Sequence, residues 1–146
     1  MPRQEDSPKA RRALKVSPFK TFASYHLPVI IYAAGVVTLS SIRQLPGPDV
    51  ELFPVDKVAH FLEYAVFAFL TFRSLSNFIP SGRPTVPAVL SLVFLVIFAG
   101  LDEHYQGYVP GRESDTADLI ADVCGASLVL AILWLRRRSR RDTGRS

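Results

Sequence analysis

The sequence has one cysteine, one tryptophan, one methionine and three histidines in 146 residues. The lone Cys124 excludes an intramolecular disulfide and leaves the redox compartment open. Set in an apolar run, it reads as a small side chain buried between helices. There is no H-E-x-x-H, no arginine-rich phosphatase-like signature, and no serine or cysteine nucleophile paired with histidine in a recognisable motif. The first 26 residues lack an early apolar core followed by a small-residue cleavage site. The first apolar segment is therefore expected to be retained as a signal anchor. Residues 29–34 and 90–99 have almost no polar face, which excludes a water-soluble helical bundle.

What the chain does have is 49% hydrophobic and 21% charged residues, and the two kinds are segregated. Apolar segments fall at 27–42, 58–79, 86–101 and 117–135. At the rise of an α-helix they measure about 24 to 33 Å, close to the roughly 30 Å of bilayer hydrocarbon. The first and third reach that length only by extending into flanking residues. Proline and glycine punctuate the connections: RQLPGPDVELFPVD after the first, Pro80, Gly82, Pro84 and Pro87 after the second, Pro110–Gly111 before the last. The expected fold is all-α, a polytopic membrane protein of four transmembrane helices. Residues 1–24 form a basic tail, 25–136 the membrane domain and 137–146 a second basic tail. Phe19, Phe22, Tyr25 and Trp134 are placed to lie at the membrane interface.

Charge orients these spans. Fourteen of the seventeen lysines and arginines fall in the two tails and the second connection, leaving Arg43, Lys57 and Arg112 for the other side. The positive-inside rule then predicts cytoplasmic termini and outward-facing first and third loops, in a bacterial inner membrane. Ten of the thirteen acids join those three cations on the outer side, and Glu5, Asp6 and Asp142 do not. Net charge is +4. The basic residues flank apolar segments, so anionic lipid is the expected counter-charge and nucleic acid is not an expected partner.

The outer half carries three clusters. Asp56, His60 and Glu63 share a helix face at i, i+4, i+7. Asp102, Glu103, His104 and Gln106 end the third helix, and Asp115, Asp118 and Asp122 begin the fourth. A carboxylate inside a membrane is costly and is expected to face the bundle interior with a partner. Glu63 and Asp122, at matched depth on different helices, imply one shared polar cavity with Lys57 and Arg112 as its cations. Simpler roles compete with this. Asp115 or Ser114 can cap the last helix, Lys57 can reach back to the interface, and His60 and Glu63 can satisfy each other. Asp49, Glu51, His104 and Glu113 read as rim residues. Ala117, Ala121 and Gly125 form a small-residue stripe suited to helix packing.

Three strings then carry a family resemblance. They are Asp56-Lys57-x-x-His60-Phe61-x-x-Tyr64, Glu103-x-x-Gln106-x-x-x-Pro110-Gly111-Arg112, and Asp118-x-x-x-Asp122-x-x-Gly125. In order and spacing they resemble the VanZ-like family of bacterial membrane proteins, whose name comes from a protein associated with low-level teicoplanin resistance. Two positions depart: many members have Asn where Asp122 stands, and a second glycine where this chain has Val129. The resemblance implies a cell-envelope setting more than a reaction. The expected ligand-binding site is Asp56, Lys57, His60, Glu63, Tyr64, Glu103, Gln106, Arg112, Asp118 and Asp122, without cofactor or metal. Its expected ligand is an anionic envelope lipid or peptidoglycan precursor. Two other readings stand beside it. One is a membrane-embedded enzyme acting on a lipid-linked phosphate or ester, with a divalent cation at Glu103, Asp118 and Asp122. The other is an assembly partner in an envelope-polysaccharide or sorting system.

Overall fold

The computed structural model describes residues 17–42, 55–79, 83–112 and 114–143. Arg43, Asp49, Glu51, Pro80, Gly82 and Glu113 lie outside them. Five helices run in order: α1 (Pro18–Tyr25), α2 (Leu27–Ser40), α3 (Val55–Phe78), α4 (Thr85–Gln106) and α5 (Thr116–Thr143). Helices α1 and α2 form one 23-residue span, Pro18–Ser40, so among the described residues four helices are long and apolar enough to cross a membrane.

The first span therefore gains its length within the segment read as a basic tail. It is interrupted at His26 because Pro28 has no N–H to donate and its ring crowds the carbonyl one turn back. The break is bridged by the His26 N–H, which donates to the Phe22 carbonyl at 2.9 Å. The third span also lengthens into its flank and ends at Gln106. Helix α5 reaches about 42 Å, longer than the hydrocarbon layer. Its last turns thus carry Arg136, Arg137, Arg138, Arg140 and Arg141 beyond the apolar stretch.

The core lies between α3, α4 and α5. Tyr64, Phe67, Phe72, Leu95, Ala99, Ala126 and Leu130 are buried there. Phe98 and Phe94 stand edge-on to Phe67, at 5.0 and 5.9 Å between ring centroids. Helix α2 is peripheral, with only Val36 and Ser40 buried among its residues. The outward faces carry Ile31, Leu62, Phe69, Ile97, Ile120 and Leu128, exposed as lipid-facing positions must be. Cys124 is on that side too, exposed and not packed between helices as its apolar setting suggested.

At one end of the bundle His26 Nδ1 meets Ser74 Oγ at 2.7 Å, and Trp134 Nε1 donates to Thr85 Oγ1 at 3.0 Å. Arg73, Arg137 and Arg138 lie over the rings of Tyr25, Phe72 and Trp134, at 4.7, 4.7 and 5.3 Å. This is a belt of cations and aromatic rings suited to an interface. The opposite end gathers the carboxylates.

Candidate functional site

Helices α3 and α5 pack backbone to backbone at Gly125. An added Cβ there would lie 2.1 Å from the Phe61 carbonyl oxygen. The close approach brings the first turns of the two helices within side-chain reach, and two polar pairs form. Lys57 Nζ donates to Asp115 Oδ2 at 2.6 Å and to Asp118 Oδ1 at 2.7 Å. One turn deeper, His60 Nδ1 lies 3.1 Å from Asp122 Oδ1. A carboxylate oxygen accepts, so Nδ1 carries a proton. His60 Nε2 points the other way, 4.0 Å from Asp56 Oδ1. Asp118 and Asp122 are both buried.

Asp115 also caps α5, accepting the Ala117 N–H at 2.9 Å, so the capping role expected of it holds alongside its ion pair. The Lys57 ammonium, and then that backbone N–H, hold the Asp115 carboxyl below the usual carboxylate range. From α4, Glu103 Oε1 accepts the Asp115 N–H. A carboxylate thus sits where the dipole of α5 favours negative charge. Its second oxygen, Oε2, is buried with no hydrogen-bond partner among the described residues.

A second network ties α4 to α2. Asp102 Oδ2 accepts from Ser40 Oγ at 2.7 Å and from Gln106 Nε2 at 3.0 Å. Gln106 Oε1 in turn accepts from Arg112 Nη1 at 2.7 Å. Arg112 is delivered by the Pro110–Gly111 turn, where Gly111 takes φ 86°, a conformation that favours glycine. Its Nε and Nη2 donate to the carbonyls of Ile42 and Leu39 at 3.3 and 3.4 Å, where α2 ends. No carboxylate lies within ion-pairing distance of Arg112 among the described residues.

These pieces surround a polar cavity of about 480 Å³, lined by Asp56, His60, Gln106, Gly111, Arg112, Ser114, Asp115 and Asp118. Five of the ten expected site residues line it: Asp56, His60, Gln106, Arg112 and Asp118. Lys57, Glu103 and Asp122 hold its lining from behind. Glu63 and Tyr64 do not line it. Tyr64 is in the core, with a hydroxyl that has no partner among the described residues. Glu63 is half-buried beside α2, where its backbone carbonyl accepts from the Tyr32 hydroxyl at 3.0 Å. His60 accordingly pairs across helices with Asp122 and not with Glu63 on its own helix. Asp102 and Ser40 were not expected in the network. Asp102 was legible as one turn before Gln106, whereas Ser40 had no sequence signal at all. His104 is exposed at the rim, 3.2 Å from the Tyr108 hydroxyl.

The Asp122 contact separates two substitutions. Asp122→Asn retains an acceptor for the His60 N–H and should shift stability by less than about 1 kcal/mol. Asp122→Leu strands that donor and should cost about 1–3 kcal/mol. Thermal unfolding in detergent micelles distinguishes them. Equal damage from both would mean that the full charge, not the acceptor, is required.

Four apolar spans with a buried acid–base network at one end define a multi-pass helical membrane protein built around a polar cavity. The chain belongs to the VanZ/LLP1 family, whose model matches residues 2–137. No curated protein and no solved structure matches it.

Proposed function

We propose that this protein sits in the bacterial cytoplasmic membrane with both termini cytoplasmic. Its cavity then opens outward and holds the anionic head group of an envelope lipid or lipid-linked precursor. The orientation rests on the sorting of lysine and arginine between the two ends. One observation carries the ligand reading. Arg112 borders the cavity while its hydrogen bonds go to neutral carbonyl and amide oxygens, and no carboxylate among the described residues lies within ion-pairing distance of it. A guanidinium held in place by three oxygens, with an edge on a cavity, suits a phosphate or carboxylate. The association of the family's namesake protein with low-level teicoplanin resistance is consistent with a ligand from the envelope.

The test compares wild type with Arg112→Gln in nanodiscs, using a labelled polyprenyl phosphate as probe. Affinity is expected to fall about tenfold or more, equivalent to about 1.4 kcal/mol or more. Equal affinity in a folded variant would remove Arg112 from this role.

A second reading is favoured by the His60–Asp122 pair. An imidazole steadied by a buried carboxylate, with its other nitrogen toward a cavity, has the geometry of a general base for hydrolysis of a lipid-linked phosphate or ester. Release of product from such lipids by wild type and not by His60→Gln would select it.

A further inference from the structure

We infer that the cavity binds a divalent cation through His60 Nε2 and one carboxylate oxygen each of Asp56 and Asp118. The inference shares its cavity with the proposed head-group site but does not depend on that ligand. His60 Nε2 is 4.0 Å from Asp56 Oδ1, and one ligand atom from each of the three residues lies within 4.8 Å of the others. Zinc–nitrogen and zinc–oxygen bonds of about 2.0–2.2 Å need donors roughly 1 Å closer than that. The Asp56 side chain, 53% exposed at the start of α3, has the freedom to close the gap.

His60 is the strongest indication. Its side chain is 10% exposed, Nδ1 is taken by Asp122, and Nε2 has no hydrogen-bond partner among the described residues while the ring lines the cavity. A carboxylate behind one ring nitrogen is how metal-binding imidazoles are oriented and held in one tautomer. Asp122 supplies it.

Charge balance gives a separate reason. Asp56, Asp115 and Asp118 line the cavity and Asp122 stands directly behind His60, while Lys57 and Arg112 are the cations facing them. Glu103 adds a further carboxylate behind the lining, so carboxylates outnumber cations around the cavity, in a setting where unpaired charge is expensive. A divalent cation would offset part of that excess. Lys57 takes Asp118 Oδ1, and the second Asp118 oxygen has no hydrogen-bond partner among the described residues. One nitrogen with two carboxylates suits zinc or manganese better than calcium or magnesium. Three protein ligands also leave a position open for an exogenous oxygen, such as that of a phosphate. An acid-rich cavity could then accept an anion beside Arg112.

The experiment uses the full chain, purified in detergent and stripped with chelator. Bound Mn²⁺ is followed by electron paramagnetic resonance, and bound Zn²⁺ by elemental mass spectrometry after desalting. About one equivalent per chain is expected, with affinity reduced at least about tenfold in His60→Gln and about 10- to 100-fold in Asp122→Leu. Asp56→Asn alters a ligand at an exposed helix start and serves if the buried variants do not fold. Arg112→Gln should retain the cation even where it loses the head group, so the two proposals fail separately. Less than about a tenth of an equivalent of either ion would overturn the site. So would unchanged affinity in folded His60→Gln or Asp56→Asn.

Discussion

Gly125→Ala is expected to lower the yield of folded protein severely, with a loss of about 3 kcal/mol or more. The new Cβ would stand 2.1 Å from the Phe61 carbonyl oxygen, 2.9 Å from its carbon and 3.1 Å from its Cα. All three are backbone atoms of α3 and cannot rotate away. A carbon against a carbonyl oxygen rests at about 3.3–3.6 Å, so α5 would have to recede by about 1 Å. Helix pairs in lipid are held by close packing and interhelical polar contacts, with no hydrophobic drive to restore a separated pair. The Lys57–Asp118 and His60–Asp122 contacts both cross this interface and would loosen with it. Gly35→Ala and Gly100→Ala are the controls, because a Cβ at either meets nothing within 4 Å. Detergent thermal unfolding should place both controls near wild type and Gly125→Ala far below. A wild-type midpoint for Gly125→Ala would refute the contact.

Lys57→Met is expected to cost about 2 kcal/mol. Methionine keeps the length of the stem but removes the ammonium, leaving the buried Asp118 carboxylate without its 2.7 Å partner. Breaking a wholly buried pair costs about 3–5 kcal/mol. Here the Lys57 side chain is 33% exposed, so water and salt replace part of the loss. Adding Asp118→Asn should recover stability, with a coupling of about 1 kcal/mol or more in the double-mutant cycle. Additive behaviour of the two changes would show that the pair contributes nothing. The same lysine acts on Asp115, whose carboxyl it holds below the ordinary range. That contribution is present above the ordinary carboxylate range and is lost as pH falls through the lowered value. Lys57→Met should return the Asp115 titration toward its ordinary value.

Asp56 and His60, one turn apart, do face the same cavity, as an i, i+4 spacing requires. The same spacing on α5 brings Asp118 and Asp122 to the α3 interface. Glu63 continues the face by helical geometry but lies one turn deeper, where α2 packs against α3 through Tyr32. Helical periodicity gives direction around an axis and says nothing about what covers each level, which is why it assigns Glu63 to the cavity; Tyr64 enters that set through the family resemblance alone. Arg112 was foreseen as a cation of the site. Its anchorage on the end of α2 was not, because backbone carbonyls leave no mark in a sequence.

Residue order alone settled the four spans and the sorting of charge between the ends, since transfer into lipid depends on the composition of each stretch taken separately. Choice of partner belonged to the packed molecule. Lys57 turned to Asp118 and His60 to Asp122 because a glycine lets α5 lie directly on α3, and Arg112 reached the end of α2 from the Pro110–Gly111 turn. Polar groups in a bilayer must be satisfied by whatever stands at their own depth, and that is set by how the helices meet.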